Sequence, residues 1–164
     1  MGRARASPYN RSKEEVIFSN LSLFKLAQGE YISPEKIEIC LSKNEMIEQC
    51  FVYGESLKAS LVAVVVPNEE NLVSWCKKQG HDVTFDEACK LKQVKEYFLE
   101  IFNTFGKNGS KELKGFEIPK NVFVEKVLFS NANSLLTDTF KLKRFEAKKH
   151  YAEQIAQMYS EIKE

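Results

Sequence analysis

Two short segments hold the residues whose types and spacing could do chemistry. Ser134 to Glu146, SLLTDTFKLKRFE, joins a loop to the last helical pattern and sets Lys141 and Arg144 at i, i+3. Lysine is a compact cation on a long flexible stem, able to reach a phosphate or carboxylate held elsewhere. Positioned charge of this kind is most of what a transferring phosphoryl or acyl-phosphate centre asks of a protein. Phe24 to Glu38, FKLAQGEYISPEKIE, offers a second cation, Lys25, on a strand that leads through a glycine turn into a helix. Taken singly, each segment also fits a plainer reading: a basic helix entrance in one case, a solvated strand lysine beside a turn in the other.

The surrounding pattern supplies elements to hold them. Leu23 to Leu26 reads as a short strand and Gln28-Gly29-Glu30 as a turn. Ser33 stands at an N-cap with Pro34 at the first helical position, and that helix runs to about Lys43 with Ile37 and Leu41 inward. Ile47 to Tyr53 and Leu57 to Val66 are β-rich runs joined by Gly54-Glu55-Ser56, a short hairpin connection. The second run is apolar on both faces, so it belongs at the centre of a covered sheet.

Asn68 caps a helix through Lys78 that stops at Gly80. Another helical pattern runs from Phe85 to Gly106 with a break near Lys90, and its stripe is Val94, Phe98, Ile101, Phe102 and Phe105. Lys107 to Gly115 is a polar loop, Val122 to Val124 a strand, and Phe145 to Ile162 a final helix. The sum is an α+β fold: a small β-sheet with a β-hairpin, helices packed on it, and a C-terminal helix. Residues 1–13 have no periodicity and read as a flexible arm, with the domain spanning 14–164.

Composition narrows the function classes. The 24 basic and 23 acidic residues nearly cancel, which gives no reason to expect the clustered basic surface that nucleic acid requires. No apolar run approaches the length of a membrane span, and the N-terminus has no signal-peptide core. Cys40, Cys50, Cys76 and Cys89 are spread without a C-x-x-C pair, and the histidines are His81 and His150. These read as reduced, mostly buried thiols and not as a metal site.

In this order the two segments resemble the hinge-proximal motif and the C-terminal lysine motif of the adenylate-forming superfamily. FKLAQGEY-x-x-PEKIE followed by LLT-x-T-x-K-x-K-R is similar to the eukaryotic long-chain fatty acyl-CoA synthetases in particular. VYGESLKASLVAVVVPN and GKNGSKELKGFEIPKNVFVE resemble the same branch, so the likeness runs from about Val16 to the C-terminus.

The resemblance implies a mobile C-terminal lid domain. It implies that Lys141 contacts the substrate carboxylate and ATP phosphates during adenylation, and that Lys25 helps shape the adenylate site. Gly29 matches the glycine whose strand lines the pantetheine tunnel during thioester formation, with Glu30 and Tyr31 flanking it. Arg144 matches an arginine of mainly structural role, and helix initiation explains Pro34, Glu35 and Glu38. ATP and CoA are the implied co-substrates, with Mg2+ accompanying ATP and none held tightly by this domain alone. The implied partner is the large N-terminal adenylation domain, in cis or in trans, which brings the fatty acid.

The chain departs from the family pattern in several places. Phe18-Ser19-Asn20-Leu21 stands where a charged hinge run is usual, Asp138 where a proline is common, and Phe145 where another proline commonly opens the last helix. The Ser/Thr/Gly-rich phosphate loop of the large domain has no counterpart in these 164 residues. The expectation is therefore a chain inactive by itself, acting at the cytosol or the cytosolic face of internal membranes. A non-catalytic module that binds a synthetase large domain is the alternative.

Overall fold

A computed structural model describes residues 23–162. The arm expected at 1–13 and the altered hinge run at 18–21 lie outside the described residues. Within them the fold is α+β, as the pattern implies.

A three-stranded sheet forms the centre, with β3 (Ile47–Tyr53) antiparallel to β4 (Val62–Pro67) and β4 parallel to β5 (Asn121–Val124). Every residue of β4 is buried. Its side chains alternate between two cores, as the period of two requires. Ala63 and Val65 face one core with Ile37, Leu41, Leu72, Phe98 and Phe102. Val62, Val64 and Val66 face the other with Phe51, Leu135, Tyr151 and Ile155. A strand covered on both sides can be apolar at each position, which is why VAVVV carries no alternation.

On the first face lie α1 (Pro34–Leu41), α2 (Glu69–Lys78), α3 (Phe85–Lys90) and α4 (Lys92–Asn103). Asn68 caps α2, its Oδ1 accepting the Asn71 N–H at 3.0 Å. At the other end Gly80 adopts φ +88°, which lets the His81 N–H donate to the Cys76 carbonyl at 2.8 Å. The expected break in the long helical pattern falls at Leu91, which is extended between α3 and α4. All five residues of the predicted stripe are buried. Ser33 does occupy the N-cap of α1, but its hydroxyl makes no capping hydrogen bond; Pro34 at the first position and the acidic Glu35 in the first turn mark the start.

Two elements differ from the sequence reading. β4 begins at Val62 instead of Leu57, so the hairpin connection is longer than Gly54-Glu55-Ser56. Its backbone is used elsewhere: the Lys58 carbonyl accepts from Ala27 N–H at 3.0 Å and the Ala59 carbonyl from Gln28 Nε2 at 3.1 Å. Leu57 is left 87% exposed. Those bonds fasten the β3–β4 connection to the small hairpin of β1 (Phe24–Lys25) and β2 (Tyr31–Ile32). Gly54 completes the join, because a Cβ there would overlap the Phe24 ring.

The final helix is two pieces, α5 (Arg144–His150) and α6 (Ala152–Glu161). Tyr151 leaves helical geometry at φ −103°, ψ 19°, with its ring buried against Phe123 and Phe129 at 6.2 and 6.0 Å. The bonds from Tyr151 N–H to Ala147 O (2.9 Å) and from Ile155 N–H to Tyr151 O (2.8 Å) continue through it, so the break is a kink that seats one large ring.

The four cysteines are free thiols. Burial raises all four above the ordinary thiol value, Cys40 to about 11 and Cys89 to about 12. Since the thiolate is the nucleophile, a rise of two units leaves about one hundredth of the ordinary reactive fraction. Iodoacetamide at pH 7.5 is therefore expected to label Cys40 in the folded chain on the order of a hundred times more slowly than in denaturant, and the other three thiols are expected to be slowed as well. Labelling at free-thiol rates in the folded state would contradict the placement of these side chains.

Candidate functional site

The first cluster of named residues sits on the β1–β2 hairpin. Lys25 pairs with Tyr31 across it, and the Lys25 ammonium lies 5.6 Å from the centre of the Tyr31 ring. The turn closes through Leu26 N–H to Glu30 O and Gly29 N–H to Leu26 O, both 2.9 Å. Gly29 has φ +92°, a region that L side chains rarely adopt. A Cβ there would lie 3.8 Å from Lys25 Cε, an ordinary contact, so the backbone conformation and not the space calls for glycine. Lys25, Gly29, Glu30 and Tyr31 are all exposed on this one turn.

Lys141 sits on a different turn, closed by the Leu136–Leu142 bridge. Thr137 makes both main contacts to it: its N–H donates to the Lys141 carbonyl at 2.8 Å, and its Oγ1 accepts the Lys141 N–H at 3.1 Å. Thr139 Oγ1 lies 3.0 Å from the same hydroxyl. Phe140, next to Lys141, is held at φ +63° and is 81% exposed. A bulky residue in that region carries about 1–2 kcal/mol of strain, and such strain collects where surrounding bonds over-determine a functional loop. Asp138, in the position where the family favours proline, accepts a bond from Asn131 Nδ2. The Lys141 side chain is exposed and makes no hydrogen bond or ion pair with another described residue. Its backbone is fixed and its ammonium is available.

Arg144 ties the two segments together. Its Nε lies 3.4 Å from Glu35 Oε1, its NH1 donates to Glu38 Oε2 at 3.0 Å, and its NH2 to Glu38 Oε1. Glu38 also accepts the Val52 N–H at 2.7 Å, so the clamp reaches the central sheet. Burial raises the Glu38 pKa from its ordinary value, and the guanidinium and the Val52 N–H oppose that rise. A bidentate guanidinium and a backbone donor supply what a buried carboxylate requires. The structure thus sets Lys25, Gly29, Glu30 and Tyr31 on one hairpin and Lys141 on a different turn, and Arg144 joins α1, which follows the hairpin, to the start of α5, which follows the Lys141 turn.

Sequence reasoning took Glu35 and Glu38 as helix-initiating residues and missed their partner. The available clue was a pair of carboxylates at i, i+3 on α1, facing one arginine in the other motif. Among the described residues no group of three or more His, Cys, Asp or Glu could hold a metal ion. No helix there is long and apolar enough to cross a membrane.

No protein-family model matches the chain. The curated long-chain-fatty-acid–CoA ligase 1 of Homo sapiens is 46% identical over 149 residues, 91% of this chain and 21% of that protein. Long-chain-fatty-acid–CoA ligase 5 of Mus musculus is 44% identical over 92% of this chain and 22% of its own length. The peroxisomal long chain acyl-CoA synthetase 6 of Arabidopsis thaliana is 42% identical over 90% of this chain and 21% of its own.

Among solved structures, the adenylation domain of a carboxylate reductase from Mycobacterium chelonae matches with a TM-score of 0.70 and 32% identity. It covers 85% of this chain and 19% of that one. The didomain of a carboxylic acid reductase from Segniliparus rugosus, solved in complex with AMP, matches at 0.70 and 26% identity, over 84% of this chain and 17% of that one. The chain spans about a fifth of the length of the curated relatives it matches. It is a homologue of the C-terminal domain of the long-chain fatty acyl-CoA synthetases, in the adenylate-forming superfamily.

Proposed function

We propose that residues 14–164 are the mobile lid domain of a long-chain fatty acid:CoA ligase and supply different groups to two half-reactions. In the first, fatty acid and ATP give an acyl-adenylate and pyrophosphate. Lys141 reaches the substrate carboxylate and the ATP phosphates, where charge develops as the carboxylate attacks. Lys25 helps shape the adenylate site. In the second, the domain turns, CoA thiol attacks the adenylate and AMP departs. Gly29 then lines the pantetheine tunnel, flanked by Glu30 and Tyr31. Presenting two faces of one rigid body in turn is an established way to assemble alternate sites. Mg2+ belongs with ATP, and the residues of this chain are assigned no metal-dependent step.

The observation that carries the reading is the Arg144 clamp. It joins α1, which follows the Gly29 hairpin in the chain, to the start of α5, which follows the Lys141 turn, while both turns stay exposed. A ligase lid needs that combination, and a passive fold does not. The large adenylation domain is the partner, in cis or in trans, and the setting is the cytosol or the cytosolic face of internal membranes.

Incubated alone with fatty acid, ATP and CoA, the chain is expected to form no acyl-CoA. Addition of a separately produced large domain of a long-chain ligase is expected to give turnover. Acyl-CoA formed by the chain alone contradicts the division of labour. Stable association with the large domain but no turnover would mark the chain as a non-catalytic binding module.

A further inference from the structure

A groove of about 700 Å³ opens between α6 and the β3–β4 connection, within the range of small-molecule sites. Its lining includes the buried Ile155 and Tyr159 of α6 and the rings of Tyr53 and Phe145. Ala152 and Ala156 are exposed on the same helical face, so small side chains keep the trough open. A second hollow of about 290 Å³ shares Tyr53, Phe145 and Lys148 and extends the apolar surface to Phe24 and Phe51. Phe145 is 70% exposed, beside both hollows.

The rim is cationic. Lys58 lies 5.5 Å from the Tyr159 ring centre, Lys148 5.8 Å from that of Tyr53, and Lys149 4.5 Å from that of Phe145. Lys149 reaches Glu146 at 3.4 Å, while Lys58 and Lys148 pair with no carboxylate among the described residues. Among the described residues of the lining the acidic side chain is Glu55, which is engaged by the Tyr53 hydroxyl at 3.0 Å. Aromatic faces hold the ammonium groups over an apolar trough without neutralising them.

We propose that this groove binds a single-chain anionic amphiphile, with the chain along Ile155 and the aromatic walls and the head among Lys58, Lys148 and Lys149. Such a ligand is taken up free from solution. The inference does not rest on the ligase reading, because neither ATP, CoA nor the large domain takes part.

The test titrates the full chain by calorimetry with dodecanoate, with dodecyltrimethylammonium (same chain, opposite charge) and with butanoate (same head, no chain). Dodecanoate is expected to saturate one site, and the other two to bind at least ten times more weakly. Ala156→Trp, which fills the trough from an exposed position, is expected to abolish binding while circular dichroism and Tm stay as in the parent. The double charge reversal Lys58→Glu with Lys148→Glu is expected to weaken it at least tenfold. Equal binding of dodecanoate and its cationic counterpart overturns the proposal. So does an Ala156→Trp chain that folds and binds dodecanoate as the parent does.

Discussion

Arg144→Ala is expected to lower the stability of the chain by about 3–5 kcal/mol, the cost of breaking a buried pair by removing one partner. At about 2–4 °C per kcal/mol for a domain of this size, Tm should fall by roughly 10 °C. The loss is large because Arg144 and Glu38 are only 20% and 13% exposed, so Glu38 would be left a buried carboxylate with the Val52 N–H as its remaining donor. Glu38→Gln keeps an acceptor for that N–H and removes the stranded charge, so it should cost less than Glu38→Ala. In the double variant Arg144→Ala with Glu38→Ala the losses should fall well short of additive, because each single change already breaks the same contact. Thermal denaturation of the four chains decides this. A fall of a degree or two for Arg144→Ala would mean that the clamp is not holding the two turns together.

The second large effect concerns rate and not stability. With the large domain present, Lys141→Ala is expected to slow adenylation by about 10²–10³, the usual loss when one positioned charge-stabilising donor is removed. Lys141→Arg keeps the charge but changes its shape and reach, and should recover only part of that loss. Tm should be unchanged in both, since the Lys141 side chain is exposed and the turn is held by its backbone and by Thr137. Thr137→Val offers the complementary case: it removes the hydroxyl that accepts the Lys141 N–H while leaving the ammonium in place. A smaller loss of rate than for Lys141→Ala is expected from it. Pyrophosphate release measured in single turnovers checks all three.

Much of this architecture was legible in the residues. The unbroken apolar run of β4 announced a central strand, and Asn68 and Gly80 announced both ends of α2 through local hydrogen bonding. What could not be read was set by partners distant in the chain. The start of β4 depends on where Lys58 and Ala59 send their carbonyls, and they send them to Ala27 and Gln28. The kink at Tyr151 depends on the Phe123 and Phe129 rings, which periodicity within the helix does not register. The same holds for the site. Lys25, Gly29 and Lys141 stand in recognisable motifs, whereas the tie from Arg144 to Glu35 and Glu38 joins residues from opposite ends of the chain. The groove under Phe145 was invisible for a related reason: its walls come from α6 and from a connection that sequence reasoning made too short.

We propose that one rigid domain serves two half-reactions with two different turns. This is tested most directly by separating those steps in the chain combined with its large domain. Adenylation is followed as pyrophosphate release, and thioester formation as acyl-CoA made from preformed acyl-adenylate and CoA. Lys141→Ala is predicted to impair the first by about 10²–10³ and leave the second within a few-fold of the parent. Gly29→Leu is predicted to do the reverse. Equal impairment of both steps by each variant, or no impairment of either, would contradict the account.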